Sequence, residues 1–327
     1  MKQNFAIIGC GRIAQKHAHE IIKIGKIVAV YDSDLQKGEA FAMQFHTKSY
    51  AAMEDMLSLE HSIELVSICS PNYLHKEHVI KCISAGKDVL CEKPMAINTA
   101  DAIEMIEFAK AKNSKLFVVK STRYHSNIKK LKELIDNGAL GKIYSFHLNF
   151  VWNRPERYFE NTWKGSLEKD GGILFTQFSH YIDTLVWLLG EVDNFSGFRS
   201  NQSKKKIEFE DSGAFALKMK SGAIGTLHYS INAFEKNQEV SLNIVAENAT
   251  ITIGGEYMND IIYQKPESLF QNIKKEDGIS NHNSSNHDLI YNAFIKAVNG
   301  IDSDIPDGSE GIKSIDLIEK IYKTILL

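Results

Sequence analysis

Short apolar runs alternate with stretches of helical spacing through the first third of the chain. Phe5 to Ile8, Ile27 to Tyr31, Leu65 to Cys69, Asp88 to Cys91 and Leu116 to Val119 are nearly continuous apolar runs, the pattern of parallel strands covered on both faces. Between them, Ile13 to Ile24, Leu35 to Phe45, His75 to Ala85 and Thr99 to Ala111 carry helical periodicity. This alternation predicts an α/β domain with a doubly wound parallel sheet over residues 1–122. A further helix is expected from Asn127 to Asn137, with Gly138 as its stop.

The pattern changes at Lys142. Tyr144 to Val151, Gly213 to Lys220, Ala223 to Ile231, Glu239 to Ala246 and Ala249 to Ile253 alternate or are rich in β-formers, joined by turns such as Ser221-Gly222 and Glu247-Asn248. They predict an α+β domain over residues 123–327 with an open, largely antiparallel sheet. One helix is expected within it, from about Leu174 to Leu189 and ending at Gly190, and two more close the chain, near Asn286 to Asn299 and Ser309 to Leu326. Gln264 to Asn286 is rich in Asn, Ser and Lys and predicts a mobile loop.

Bulk properties narrow the class. A chain of 327 residues with 43% hydrophobic and 24% charged residues and a net charge of -3 fits a soluble protein of two domains, with no nucleic-acid or membrane partner indicated. Cys10, Cys69, Cys82 and Cys91 show no CxxC spacing and lie mostly in apolar runs, as small buried hydrophobes do in a reducing compartment. No close Cys/His cluster marks a metal site, so no metal is expected. No apolar run reaches the length of a membrane span, and no signal-like segment precedes the first strand, so a cytoplasmic location is expected.

Candidate chemistry begins directly after the first strand. Gly9-Cys10-Gly11-Arg12-Ile13-Ala14 is a GxGxxA fingerprint at a strand-to-helix turn. Gly9 suits the tight turn, Gly11 the close approach of a pyrophosphate, and Ala14 the packing of helix on strand. Gly9, Gly11, Arg12 and Ile13 are therefore cofactor-binding candidates, the helix N-terminus being the anion site. Asp32 closes the second strand, where a carboxylate accepts from an adenosine ribose, and no Arg stands nearby for a 2′-phosphate. NAD is expected over NADP. Read alone, Asp32 also suits a helix N-cap.

Two later segments carry proton chemistry. Cys91-Glu92-Lys93-Pro94 follows a strand C-terminus, the ligand edge of such sheets, and Lys93 there suits a proton donor or anchor. Gly171-Gly172 precedes Thr176, His180 and Asp183, whose i, i+4, i+7 spacing puts all three on one helix face. His180 can shuttle a proton, a role that suits the histidine side chain. Taken singly, Lys93 also reads as a solvated loop lysine and His180 as a structural histidine.

Together with Ser67-Ile68-Cys69-Ser70-Pro71-Asn72-Tyr73-Leu74-His75 and Arg123, these motifs resemble the Gfo/Idh/MocA family of NAD(P)-dependent oxidoreductases along nearly the whole chain. The resemblance implies a nicotinamide cofactor across a Rossmann domain, lined by Ser70, Pro71, Asn72 and His75, with Glu92 and Lys93 at the nicotinamide ribose. It implies that the second domain's sheet serves substrate binding and self-association, as a homodimer or homotetramer. In family members that oxidise sugars or inositols, a lysine, an aspartate and a histidine converge on the reacting hydroxyl; here these positions are Lys93, Thr176 and His180. Thr176 replaces the carboxylate, so its hydroxyl can hold a substrate oxygen but not relay a proton as an aspartate does. Phe178, where many relatives have glycine, implies an altered substrate face.

The resulting expectation is NAD-dependent hydride transfer between nicotinamide and a secondary hydroxyl or ketone carbon of a sugar, polyol or nucleotide-linked sugar. His180 takes the hydroxyl proton, Lys93 stabilises the alkoxide, and Asp183 orients the imidazole or a substrate hydroxyl. Arg123, Tyr124, Trp152, Arg154, Arg157, Tyr158, Trp163 and Gln177 are the substrate-binding candidates, aromatic faces and guanidinium forks suiting sugars and phosphates, though such a cluster also suits plain packing. A glycoside-cleaving cycle that uses NAD transiently, and a non-catalytic dinucleotide sensor, are the alternatives.

Overall fold

A computed structural model describes residues 3–203, 206–271 and 286–324. The chain divides into two units, Met1–Lys120 with Asn286–Asp316, and Ser121–Ser285 with Leu317–Leu327. A single boundary at residue 122 therefore does not describe the division, because residues 286–316 return to the first unit.

The first unit runs β1 (Gln3–Ile8), α1 (Arg12–Ile24), β2 (Gly25–Tyr31), α2 (Leu35–Phe45), β3 (Lys48–Tyr50), α3 (Met53–Leu59), β4 (Leu65–Ile68), α4 (His75–Ser84), β5 (Asp88–Cys91), α5 (Thr99–Ala111) and β6 (Leu116–Val118). Among the described residues its strands form one parallel sheet in the order β3-β2-β1-β4-β5-β6, the doubly wound order of dinucleotide-binding folds. Phe5, Ala6, Ile7 and Ile8 of β1 are fully buried, as are Val66 and Ile68 of β4. Burial on both faces is why these strands read as unbroken apolar runs. The hydrogen-bond ladder continues past the strand ends: Gly9 N–H donates to Tyr31 O (2.7 Å), Cys69 N–H to Ile8 O (2.7 Å) and Glu92 N–H to Ile68 O (3.0 Å). The loops after β1, β4 and β5 thus leave the sheet in fixed directions at its ligand edge.

The second unit contains α6 (Ser126–Asp136), β7 (Ile143–Val151), α7 (Leu167–Asp170), α8 (Ile173–Thr176), α9 (Ser179–Leu189), β8 (Val192–Ser200), β9 (Ser212–Met219), β10 (Ile224–Ser230), β11 (Glu239–Ala246), β12 (Thr250–Gly254) and β13 (Asp260–Lys265). Its sheet has the order β13-β12-β11-β7-β10-β9-β8, antiparallel except for the parallel β7 and β10 pair. Alternation sorts the two faces. Leu148, Phe150, Leu227, Tyr229, Phe215, Leu217, Leu242 and Ile244 are buried. Their neighbours form polar rows on the other face, among them Ser196, Ala216, Thr226, His147, Asn243, Thr252 and Tyr263 in register.

Two helices close the described chain, α10 (His287–Val298) and α11 (Gly308–Thr324). The α10 aromatics Tyr291 and Phe294 pack against Phe5, and Lys115 caps the helix by donating to the carbonyls of Ala297 and Val298. Five of the elements named above were not expected from the pattern: β3, α3, α7, β8 and β13. The loop expected from Gln264 begins inside β13, and its residues 272–285 lie outside the described ones. Among the described residues no helix is long and apolar enough to cross a membrane. All four cysteines are free and buried.

Candidate active site

The turn after β1 is built to leave room for a ligand. Gly9 has φ +88°, and a Cβ there would lie 2.6 Å from Ser70 N, so only glycine fits between the β1 and β4 loops. At Gly11 a Cβ would meet nothing within 4 Å; its side faces open space. Gly11 is also the N-cap of α1, with no side-chain cap and no acid in the first turn, so the N–H groups at that end and the positive dipole end favour an anion. Arg12 is exposed, Ile13 half-buried and Ala14 fully buried against the sheet. Asp32 holds the same turn, its Oδ2 accepting from Cys10 N–H (2.7 Å) and its Oδ1 from Asp34 N–H (2.9 Å). A dinucleotide fits this donor set. The pyrophosphate would lie over Gly11 and the α1 N-terminus, and Asp32 would retain lone pairs for a ribose hydroxyl.

The loops after β4 and β5 are tied together by His75. Its Nδ1 lies 2.8 Å from Pro94 O and its Nε2 2.8 Å from Ser70 O. His75, expected as a cofactor contact, is a buried brace between these loops, its pKa pulled down by burial against the opposing pull of the two carbonyls. Ser70 and Asn72 are buried beside it, and Pro71 is half-buried. The Lys93-Pro94 peptide is cis, as the sequence allowed, and Lys93 is half-buried. Glu92, expected at the nicotinamide ribose, has a buried side chain, with Oε1 2.9 Å from His17 Nε2 and 3.3 Å from His287 Nε2. Burial alone would raise the Glu92 carboxyl, but donation from the two histidines outweighs it and holds the group well below the usual carboxylate range. The three donor atoms lie within 4.8 Å of one another. Since both Nε2 atoms face one carboxylate oxygen, hydrogen bonds account for the cluster without an ion.

In the second unit, the single helix expected from Leu174 to Leu189 is two. Gln177 and Phe178 N–H both point to Ile173 O (2.9 and 3.3 Å), a widened turn that ends α8 and lets Phe178 stack on Phe150 (centroids 4.8 Å). Phe178 is therefore core, not substrate face. Thr176, His180 and Asp183 consequently do not share one continuous helix face. Thr176 and His180 are half-buried, and Thr176 Oγ1 donates to Gly172 O (3.3 Å). Gly172, at φ +112°, is pressed against the Tyr322 ring and hydroxyl, where a Cβ would collide. Tyr322 Oη accepts from Leu174 N–H (3.1 Å) and donates to buried Glu210 (2.6 Å).

Two of the expected substrate groups turn to each other. Arg123 donates from Nε to Asp183 Oδ2 (2.7 Å) and from Nη2 to Oδ1 (2.9 Å), both side chains being buried. This bidentate pair ties the turn before α6 to α9. A separate cluster does assemble. Arg154 lies over Trp152 (4.7 Å) and Tyr158 (5.3 Å), its Nε donates to Gln177 Oε1 (2.6 Å), and Gln177 Nε2 donates to the Tyr158 hydroxyl (2.9 Å). Arg157 is exposed and Trp163 half-buried, while Tyr124 is buried under Lys129. Sequence reading missed His17, His287, Tyr291 and Asp170. His17 and His287 meet Glu92 across 75 and 195 residues, and Tyr291 meets His17 across 274, which no local spacing reveals.

Comparison with known proteins bears on both units. Residues 3–120 match the oxidoreductase family with an NAD-binding Rossmann fold, and residues 128–252 match the GFO/IDH/MocA C-terminal domain. The chain is 30% identical to myo-inositol 2-dehydrogenase of Thermotoga maritima over 69% of its length and 68% of that enzyme. It is 35% identical to glucose-6-phosphate 3-dehydrogenase of Bacillus subtilis, covering 58% of this chain and 55% of that one; the chain thus spans about half of that relative. The WlbA dehydrogenase of Chromobacterium violaceum, solved with NADH and UDP-GlcNAcA, superposes with a TM-score of 0.91 at 32% identity, over 99% of this chain and 93% of that one. With the strand order, the glycine turn and the open α1 N-terminus already in place, these matches mean that the chain belongs to the Gfo/Idh/MocA family of NAD-binding oxidoreductases.

Proposed function

We propose that the chain is an NAD-dependent dehydrogenase acting on a secondary hydroxyl of a nucleotide-linked sugar. The observation that carries the substrate class is the 32% identity, over 99% of the chain, to a dehydrogenase solved with NADH and UDP-GlcNAcA. The glucose-6-phosphate and inositol dehydrogenases named above match over shorter spans. The Trp152, Arg154, Tyr158 and Gln177 cluster supports the same reading, offering ring faces for a sugar or base and a guanidinium for a phosphate.

Bound NAD supplies the hydride acceptor. His180, half-buried at the start of α9, takes the hydroxyl proton, and the Lys93 ammonium hydrogen-bonds the substrate oxygen as charge develops on it. Thr176 holds a neighbouring substrate oxygen. The patterned open face of the second unit's sheet, where Phe198 and Ile224 are exposed, serves self-association into a homodimer or homotetramer.

The test is incubation of the purified protein with NAD, then NADP, against UDP-sugars, free sugars and polyols, following nicotinamide absorbance and product mass together. NADH formation with a UDP-sugar and NAD is the expected result. Formation with free sugars alone overturns the nucleotide-sugar reading, and turnover without net NADH overturns simple dehydrogenation. His180→Asn should abolish turnover while retaining NAD binding.

A further inference from the structure

Behind the lysine turn lies a buried chain of hydrogen bonds whose proton order is forced. Glu92 Oε1 can only accept, so the Nε2 atoms of His17 (2.9 Å) and His287 (3.3 Å) must both donate. Burial lowers the His17 pKa against the opposing pull of Glu92 and so favours the neutral ring. With Nε2 protonated, its Nδ1 accepts from the Tyr291 hydroxyl (2.7 Å). The Tyr291 oxygen in turn accepts from Ser67 Oγ (2.7 Å). The other Glu92 oxygen, Oε2, accepts from Lys93 N–H (3.1 Å). The His17 and His287 rings meet edge to face at 4.8 Å, so the geometry is packed as well as bonded.

We propose that His17, His287 and Tyr291 are positioning residues that hold Glu92 as a buried carboxylate, and that Glu92 through Oε2 fixes the backbone from which Lys93 is presented. His287 and Tyr291 come from α10, outside both stretches of the chain that match the family. The assignment rests on Lys93 being the reacting lysine. Charged and titratable groups facing Glu92 are His17 and His287, with the Cys69 and Cys91 thiols, His75, the Tyr291 hydroxyl and the Lys16 ammonium also within its field.

The sign of the effect follows from the donors. Each histidine N–H stabilises the ionised carboxylate, so removing one raises the pKa of Glu92 and lets it protonate at higher pH. In His287→Phe, the Glu92 carboxyl signal should titrate at least about one pH unit higher than in the wild type. The signal is read by carbon NMR of protein labelled at the glutamate carboxyl and is assigned by its loss in Glu92→Gln. The acid limb of the kcat profile should move the same way, with kcat reduced about tenfold or more while the KM for NAD stays nearly constant. His287→Gln restores an N–H donor and should recover most of both.

Should His287→Phe fail to fold, Tyr291→Phe removes one hydroxyl only. It frees His17 to carry its proton on Nδ1, and a smaller shift in the same direction is expected. An unchanged Glu92 titration in the variant that folds overturns the proposal, as does stoichiometric metal in the purified wild-type protein by mass spectrometry. The NMR readout needs no substrate, so a failure of the dehydrogenase reading leaves it standing as an independent result.

Discussion

At the scale of single residues, Gly9 and Gly11 separate what the fold needs from what a ligand needs. Gly9→Ala forces a side chain onto the Ser70 backbone at positive φ and should cost at least about 1–2 kcal/mol of stability in urea unfolding. Gly11→Ala meets open space, so its melting temperature should hold while NAD affinity, measured by calorimetry, falls. Asp170 offers a second separation. Burial pushes its carboxyl up to about 6, with the Thr176 side chain, the Gly165 N–H and Lys164 opposing that rise and Glu210 adding to it. Because its folded pKa exceeds the unfolded value near 4, the stability it contributes is present below about pH 4 and lost as pH rises to about 6. Asp170→Asn should therefore be about 2–3 kcal/mol more stable than the wild type at pH 7.5 and equal to it at pH 4. If activity drops in that stabilised variant, the carboxylate next to Thr176 serves the reaction. The glycine fingerprint was legible in the sequence because its chemistry depends on local spacing. The hydrogen bonds of Glu92, His75 and Asp183 were not, because a motif names a residue without saying which way its side chain turns.

Among elements, what escaped the sequence were mostly edges. The strands β3, β8 and β13 are each the outer strand of a sheet. An outer strand has neither the double cover that makes β1 and β4 apolar throughout nor a partner on both sides to enforce alternation. Central strands and the long helices were legible for the converse reason. The break between α8 and α9 was hidden because the apolar spacing continues across it, and the widened turn shows only in the two N–H groups that share Ile173 O and in the stacking of Phe178 on Phe150. The start of α8 depends on Tyr322, 150 residues later. Gly172→Ala should destabilise the protein by about 2 kcal/mol or more in urea unfolding, since it adds a collision with that ring to an unfavourable φ.

For the whole molecule, the notable arrangement is that residues 286–316 complete the first unit. They supply Tyr291 and Phe294 against β1 and His287 against Glu92. Ending the chain at residue 285 should therefore leave a buried carboxylate with one of its donors removed and an apolar face uncovered; loss of NAD binding and of cooperative melting is expected, read by calorimetry and circular dichroism. The return has a further consequence during synthesis. Glu92 leaves the ribosome 195 residues before His287 does, so a nascent chain holds a half-built nucleotide fold while those residues are made. Coenzyme affinity is therefore expected only once residues 286–316 have been added to the fold.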